Sequence, residues 1–425
     1  MSYHLYRWAS QLLWFVASPW LRRRARGGGE WSERLGCSPS TTEGRVWIHA
    51  ASVGEVAAAT PLALGLSRAG QGVFLTVVTR TGRESAARLE REGVTVAYAP
   101  LDFVASVRRA IGRVRPRAVL LVETELWPNL LKELELARVS TAVVNGRLSP
   151  RSERRYSSWW SPVRRLVGGL SVVACQSEAD RRRFVSIGIG DSEAVTTGNM
   201  KADVLDEPLT EDEKSALRDE LGIDRERRVI VFGSVRPKEE STVTGVIGDI
   251  VRARGDAACI LAPRHLDRVG AVASRLRSGG FRFRLRSEAP AEGGEAVMVL
   301  DTTGELPRIY ALAEVAFVGG SLAPYGGHNP LEPAVHGVPV LIGPHNGSCR
   351  RSAERLVRAG GALVVSGGEG LRDAVLRLLS DESERRVMAD AARAAVEADR
   401  GATARTIDLL SRRGVLGGAS ERSGR

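Results

Sequence analysis

The chain has 425 residues, of which 61 are basic and 50 are acidic, so its formal net charge is +11. This length exceeds what one hydrophobic core usually organises and predicts two domains. The positive charge favours an anionic partner such as a nucleic acid, a membrane surface or a phosphorylated substrate. The sequence contains no zinc-finger spacing, aromatic RNA-binding motif or Walker-type phosphate loop. Only the positive charge would support a nucleic-acid partner, so no nucleic-acid partner is predicted.

Residues 1–26 form an N-terminal segment that is apolar and rich in tryptophan as far as Leu21 and then carries four arginines, at positions 22, 23, 24 and 26. The apolar run is shorter than the ~20 residues that a spanning helix needs, and Gln11 and Pro19 interrupt it. A signal peptide is disfavoured because arginines stand where cleavage is expected. We expect a helix lying on an anionic membrane surface, with a terminal helix docked on the protein as the alternative.

Residues 27–205 alternate between apolar, β-branched runs and helical patterns. The predicted strands are residues 46–50, 73–78, 94–98, 118–122, 141–144 and 171–175, and predicted helices include residues 56–69 and 83–92. This alternation is typical of a parallel sheet covered on both faces, so the segment is predicted to be a doubly wound, Rossmann-like domain. Such sheets bind ligands beyond the carboxyl ends of their strands.

Acidic side chains follow two of these strands. Ser52-Val-Gly-Glu55 opens a helix, so Glu55 is either a general base or the third helical residue of a capping box with Ser52. Glu123 and Glu125 follow the strand at residues 118–122, where a carboxylate at a helix start also has a structural explanation. Lys201, at the end of this half, is either a surface lysine or a cation that offsets negative charge during a reaction.

Residues 206–415 repeat the pattern after the charged segment 206–228, with predicted strands at residues 229–232, 257–262, 296–300, 315–318 and 338–342. A second Rossmann-like domain is therefore expected, and residues 416–425 are predicted to be a disordered tail. Asn329-Pro-Leu-Glu332 has the residues of a helix start, with Asn as N-cap, Pro at the first helical position and Glu at the third. The glycine-rich backbone before it suits a phosphate or a carboxylate.

Three sequence strings resemble motifs of the 3-deoxy-D-manno-octulosonic acid (Kdo) transferases: His49-Ala-Ala-Ser-Val-Gly-Glu55, Glu123-Thr-Glu-Leu-Trp-Pro128 and Gly326-Gly-His-Asn-Pro-Leu-Glu332. The resemblance runs from about residue 30 to about residue 350. It implies a GT-B fold, in which two Rossmann-like domains face a central cleft. It also implies an inverting, metal-independent transfer of Kdo from CMP-Kdo to the lipid A precursor (lipid IVA) in lipopolysaccharide biosynthesis, at the cytoplasmic face of the inner membrane, with no further cofactor.

The resemblance assigns roles to particular positions. Glu55 matches the family's proton acceptor, and Glu123 and Lys201 match positions that support the transition state. The positions that match CMP contacts are Pro263, Arg264, Thr303, Gly304, Glu305, Asn329, Pro330, Leu331 and Glu332. One departure is visible, because Arg236 stands where the family commonly has a histidine.

The basic segment 147–183, which includes Trp159 and Trp160, suits a phosphorylated glycolipid at a membrane or is a solvated helix face. Two alternatives to the Kdo transferase prediction remain open from the residues. One is another two-domain nucleotide-sugar transferase or an epimerase, and the other is a non-catalytic basic protein that binds membrane surfaces.

Overall fold

The computed structural model describes residues 3–39, 44–158, 161–205, 207–289 and 295–417. The chain divides into two compact units, of which the second is Leu205–Ala398 and the first comprises the residues before it together with those from Asp399 onward. The predicted second domain covers residues 206–415, whereas the described residues from Asp399 onward belong to the first unit. Ala402 and Leu410 are buried in the core of the first unit, and the Asp203 carboxylate accepts hydrogen bonds of 2.6 Å from the backbone N–H groups of Gly401 and Thr403. The predicted disordered tail starts too early, because Leu416 is buried in the core of the first unit, and residues 418–425 lie outside the described residues.

The first unit contains one seven-stranded sheet and the helices that cover it. Its strands are β1 (Val46–His49), β2 (Val73–Val77), β3 (Thr95–Tyr98), β4 (Ala118–Val122), β5 (Ser140–Gly146), β6 (Val172–Cys175) and β7 (Ala194–Thr196). Its helices are α1 (Tyr3–Ala25), α2 (Gly29–Arg34), α3 (Val53–Arg68), α4 (Arg80–Ala86), α5 (Val104–Val114), α6 (Pro128–Leu136), α7 (Pro150–Ser157) and α8 (Glu178–Ser186). Short 3-10 turns cover Ala87–Glu92, Val167–Gly169 and Met200–Val204.

The second unit has the same architecture. Its strands are β8 (Arg228–Val235), β9 (Ala257–Pro263), β10 (Phe283–Leu285), β11 (Val297–Val299), β12 (Ala313–Val318), β13 (Val340–Ile342) and β14 (Ala362–Val364). Its helices are α9 (Glu211–Glu220), α10 (Glu240–Ala253), α11 (Val269–Ser278), α12 (Leu306–Ile309), α13 (Leu331–Val335), α14 (Arg350–Ala359), α15 (Gly367–Ser380) and α16 (Glu382–Glu397), with 3-10 turns at Leu266–Arg268 and Tyr310–Leu312. The last helix of the chain, α17 (Ala402–Arg412), belongs to the first unit.

Both sheets are parallel and doubly wound, which confirms the predicted fold class. The strand orders are β3-β2-β1-β4-β5-β6-β7 and β10-β11-β9-β8-β12-β13-β14. In the first sheet the chain reverses its direction of winding between β1 and β4, and in the second between β8 and β12. Residues just beyond the carboxyl ends of those four strands therefore stand at topological switch points, where doubly wound sheets bind ligands.

The strands are buried on both faces because apolar side chains alternate between the helical layers above and below each sheet. In the first sheet Trp47 and Phe74 pack edge to face with ring centroids 5.8 Å apart, and both are fully buried. Phe232 and Phe317 occupy the corresponding neighbouring strands β8 and β12 of the second sheet, with centroids 6.4 Å apart. These cores hold the carboxyl ends of the strands in fixed positions.

Helix α1 contacts its own unit through polar side chains and through Trp14, whose ring centroid lies 5.2 Å from that of Phe103. The Tyr6 hydroxyl donates to the half-buried Asp102 carboxylate at 2.8 Å, and the Asn129 side-chain amide donates to Ser10 Oγ at 3.1 Å. Seven large apolar side chains of the same helix are instead more than half exposed: Leu5, Trp8, Leu12, Leu13, Phe15, Val16 and Trp20. This is the reverse of the usual arrangement in a water-facing helix, whose apolar side faces the core. No helix in the described parts of the chain combines the length and apolarity required to cross a membrane.

Candidate active site

Glu55 lies in the first turn of α3, directly after β1. Ser52 is the N-cap, and its hydroxyl oxygen accepts from the Glu55 N–H at 3.4 Å. The Glu55 carboxylate in turn accepts from the Ala51 N–H at 2.8 Å and from the Ser52 hydroxyl at 3.0 Å. Glu55 therefore has a capping role, but its backbone partner is one residue earlier than the standard capping box requires.

The environment of Glu55 disfavours its charged form. Burial raises its pKa first, the neighbouring negative charges of Glu125 and Glu123 add to the rise, and the bonds from Ala51 and Ser52 oppose it, so that the pKa reaches about 7. A carboxyl group with a pKa near neutrality can accept a proton and still be largely ionised under working conditions. The cap and the proton acceptor, which the sequence left as alternatives, are thus compatible roles of one side chain.

Glu123 and Lys201 were predicted separately as site residues of the first half of the chain. In the structure they form an ion pair. Lys201 Nζ lies 2.9 Å from Glu123 Oε1, and the Glu123 side chain is only 13% exposed. Arg147 is a second, more distant cation, at 4.0 Å from Glu123 Oε2. Glu123 has φ +58°, a left-handed conformation that is uncommon outside glycine and that occurs often at functional sites.

Glu125 lies beside Glu55 and Glu123 at the same sheet edge. Its carboxylate accepts from the Trp127 indole N–H at 2.9 Å. Burial raises the pKa of Glu125, and the charge of Glu123 adds to the rise. The structure therefore brings three carboxyl groups together at the switch point between β1 and β4, with Lys201 as the nearest cation to Glu123.

His49 is a site residue that the sequence analysis did not single out. It ends β1, packs against Trp127 with ring centroids 4.8 Å apart, and places Nε2 3.9 Å from Glu125 Oε2. Full burial lowers its pKa to about 4, so the ring is neutral near pH 7. Its position within His49-Ala-Ala-Ser-Val-Gly-Glu55 was the available signal, but spacing alone does not separate such a histidine from a core residue.

In the second unit, the predicted CMP contacts follow neighbouring strands of one sheet. Pro263 is the buried last residue of β9, and the exposed Arg264 next to it donates its backbone N–H to Val235 O of β8 at 2.9 Å. Thr303 and Gly304 are exposed in the turn after β11. Since all strands of the sheet are parallel, these segments emerge at the same edge.

Glu305 and the segment Asn329 to Glu332 differ in detail from the prediction. The Glu305 carboxylate already forms an ion pair within the protein, since Arg286 Nη2 lies 3.1 Å from Glu305 Oε1. Helix α13 begins at Leu331 with Pro330 at the N-cap position, so the predicted Asn329 cap is one residue too early. Asn329 Oδ1 still accepts from the Leu331 N–H at 3.2 Å, because a short side chain can make this bond from outside the helix.

Arg236 and His328 join this edge from the two strands of the switch point. Arg236 follows β8, lies 4.6 Å above the Tyr325 ring and is 2.7 Å from His265 Nε2. His328 follows β12, and burial together with the charges of Arg264 and Arg236 lowers its pKa to about 4. Arg236 was not a predicted site residue because it departs from the family pattern. In the structure the charges of Arg236 and Arg264 both act on His328, and these two arginines are called the cation cluster below.

The buried side chain of Glu239 binds the backbone of the two loops beside the cation cluster. Glu239 is 1% exposed and accepts from the backbone N–H groups of Arg236 at 3.0 Å, Gly320 at 2.6 Å and Leu322 at 2.8 Å. These three backbone hydrogen bonds to one side chain fix the loops after β8 and β12 together. Gly319 is needed at this closure, since a Cβ there would lie 2.6 Å from Ser234 O.

The two sites differ in what they can do chemically. The carboxyl cluster of the first unit can remove a proton, and the cation cluster of the second unit can bind an anion. No trio of His, Cys, Asp or Glu side chains within the described ranges is grouped as metal ligands.

The family model and the relatives with the most similar sequences reported below are all Kdo transferases. The family described as 3-deoxy-D-manno-octulosonic-acid transferase (kdotransferase) matches residues 29–204. The 3-deoxy-D-manno-octulosonic acid transferase of Bordetella pertussis is 35% identical over 95% of this chain and 96% of its own length, and that of Haemophilus influenzae is 33% identical over 93% and 92%. The structure of UDP-GlcNAc 2-epimerase from Neisseria meningitidis, 13% identical, aligns over 87% of this chain and all of that chain with a TM-score of 0.60, which shows a shared fold.

Proposed function

The chain belongs to the Kdo transferases and is a glycosyltransferase of lipopolysaccharide biosynthesis, and we propose that it transfers Kdo from CMP-Kdo to the lipid A precursor with Glu55 as the general base. The observation that carries this assignment is the half-buried Glu55 carboxyl group, whose pKa is raised to about 7 at the switch point of the first sheet. General bases work best when their pKa lies near the working pH.

The proposed reaction is a single displacement. Glu55 takes the proton of an acceptor hydroxyl as that oxygen forms a bond to the anomeric carbon of Kdo. The bond from that carbon to the phosphate oxygen breaks, and CMP leaves with the electron pair, so the configuration at the carbon inverts. Removing the proton as the bond forms avoids a positively charged oxygen, which is why a base contributes ~10²–10⁴-fold to such steps.

Glu123 and Lys201 are proposed to act as one unit. A carboxylate that is 13% exposed is costly to leave unpaired, and Lys201 Nζ supplies its partner at 2.9 Å. The charged Glu123 contributes in turn to the raised pKa of Glu55. Glu123 therefore helps to keep the pKa of Glu55 near neutrality, and Lys201 fixes the position of the Glu123 carboxylate.

The second unit is proposed to bind CMP-Kdo. Arg264 and Arg236 supply guanidinium groups for the anionic phosphate, which such groups recognise through paired N–H donors. The segments containing Thr303, Gly304 and Asn329 to Glu332 are proposed to contact the nucleotide, and Glu332 a ribose hydroxyl. Cations here also offset the charge that develops on the departing phosphate.

The N-terminal helix α1 is proposed to lie on the anionic inner membrane at its cytoplasmic face. The supporting observation is the pairing of polar α1 residues with Asp102 and Asn129 while Trp8 and Phe15 are 72% and 78% exposed. Apolar and tryptophan side chains bury favourably at a membrane interface, and the arginines after Leu21 suit anionic headgroups. This would bring the enzyme to a lipid acceptor.

The test is a transfer assay with purified full-length protein, CMP-Kdo and the lipid A precursor in detergent, in which CMP and glycosylated lipid are both quantified. We expect the two products in equal amounts. Turnover of a UDP-sugar without turnover of CMP-Kdo would instead favour another nucleotide-sugar enzyme, and vesicle binding without any CMP release would favour a non-catalytic membrane protein.

A further inference from the structure

A groove of about 740 Å³ lies in the first unit beside the carboxyl cluster. It reaches from α1 past the start of α6 to the segment after α7. Its lining includes Tyr6, Glu125, Trp127, Arg155, Tyr156 and Val163. Most of this lining is apolar, but Glu125 at one side carries the charge that contributes most, after burial, to the raised pKa of Glu55. The groove therefore opens next to the proposed base.

Arg155 is the basic residue of the groove lining, and it belongs to a group of arginines that follow one another closely in the sequence. Five exposed arginines lie on α7 and in the segment that follows it, and within the described residues none of them pairs with a carboxylate: Arg151, Arg154, Arg155, Arg164 and Arg165. The arginines of α8 differ, because Arg181, Arg182 and Arg183 all pair with acidic side chains at 2.7–3.7 Å. For the basic segment 147–183, the sequence left open a solvated helix face or a surface for a phosphorylated glycolipid. Trp159 and Trp160 of that segment lie outside the described residues.

We propose that this groove binds the acylated and phosphorylated end of the acceptor lipid, with an acyl chain along Trp127 and Val163 and a phosphate at Arg155. This inference rests on the proposed function, and it specifies where the acceptor lies relative to Glu55. An anionic lipid fits because the occupant must satisfy both a mostly apolar lining and Arg155, which pairs with no carboxylate within the described residues. Arg155 has spare donors for a phosphate, since Tyr156 Oη occupies one of its amino groups at 2.9 Å.

Two substitutions separate the acyl and phosphate contributions. Ser158→Phe narrows the groove at a lining residue whose side chain makes no hydrogen bond in the described structure. Arg155→Gln removes the proposed phosphate contact. Arg182→Gln is the matched control, because Arg182 is 77% exposed, lies on α8 and does not line the groove.

The experiment measures binding of the lipid A precursor and of its fully deacylated sugar phosphate to each full-length protein in detergent micelles, together with acceptor KM, kcat and thermal melting. Each buried methylene is worth about fourfold in affinity. We therefore expect Ser158→Phe to weaken binding of the acylated precursor by at least about tenfold and to leave the deacylated compound within about threefold. Arg155→Gln is expected to weaken both by about tenfold, and Arg182→Gln neither.

The proposal is overturned if Ser158→Phe melts like the wild type and binds the precursor normally, or if Arg155→Gln matches the control. It is also overturned if both groove variants lose affinity for anionic vesicles without precursor to the same degree, because the surface would then serve the membrane. If Ser158→Phe is unfolded, the exposed Arg155 variant decides. A wild type that binds the precursor through this groove but transfers no Kdo would refute the proposed function and leave the groove assignment intact.

Discussion

Replacing Glu55 with glutamine tests the assignment of the base most directly. Glutamine retains an oxygen that can accept from the Ala51 N–H, now at 2.8 Å from the carboxylate, but it cannot take up a proton near pH 7. We expect kcat to fall by at least ~10² while the fold is retained. The Glu55→Gln variant would therefore preserve most of the cap and remove the catalytic function.

The same substitution has a signature in stability. A rise in the pKa of Glu55 from 4.5 to about 7 corresponds to about 3 kcal/mol at 1.36 kcal/mol for each unit. Because the folded state binds this proton more tightly than the unfolded state, the free energy of unfolding of the wild type falls as pH rises from about 4.5 to about 7. Glutamine has no such ionisation, so the variant should gain up to about 3 kcal/mol on the wild type between pH 5 and pH 8.5.

The assay combines initial rates of CMP release with urea unfolding at pH 5 and pH 8.5. A variant that keeps turnover within about threefold of the wild type refutes Glu55 as the base, and Glu123 or Glu125 would then need testing. A difference in unfolding free energy that does not change with pH would refute the raised pKa, even if activity were lost.

Three further predictions concern other residues. Glu125→Gln removes the neighbouring charge that raises the pKa of Glu55 most, so the acid limb of the pH–rate profile should move to lower pH; a limb that stays in place contradicts this electrostatic coupling. Phe15→Ser, at a side chain 78% exposed, should reduce co-sedimentation with anionic vesicles without lowering the melting temperature, and unchanged co-sedimentation would exclude α1 as the contact. Arg264→Gln should weaken CMP binding in calorimetry by about tenfold or more, whereas Arg386→Gln, an exposed control in the same unit, should not; equal affinities would remove Arg264 from the donor site.

Much of the fold was predictable because parallel strands buried on both faces have a strong sequence signal. Runs such as Ala118–Val122 contain only apolar residues, and a chain that alternates them with helices has few ways to fold. The positions of Glu55 and Glu123 at strand ends followed from the same pattern. That the two strands are neighbours was not predictable, since strand order depends on pairing between distant segments.

Residues whose role depends on distant partners were harder to identify. Glu239 appears in the sequence as one of two acidic residues near a helix start, and only the pairing of β8 with β12 shows that it binds the backbone of Gly320 and Leu322. A docked N-terminal helix was one of the two predicted alternatives, but its partners Asp102 and Asn129 could not be identified because they lie about a hundred residues away. The start of α13 shifted by one residue because Pro330 itself can occupy the N-cap position.

The attachment of α17 to the first unit affects the order in which the protein can fold during synthesis. Ala402 and Leu410 are fully buried in the same core cluster as Leu62 and Leu66 of α3. A nascent chain that has left the ribosome only as far as the second unit therefore lacks part of the core of the first. We infer that the unit carrying Glu55 is completed last, although its sequence is translated first, and that loss of α17 would expose the core beneath α3, the helix on which Glu55 lies.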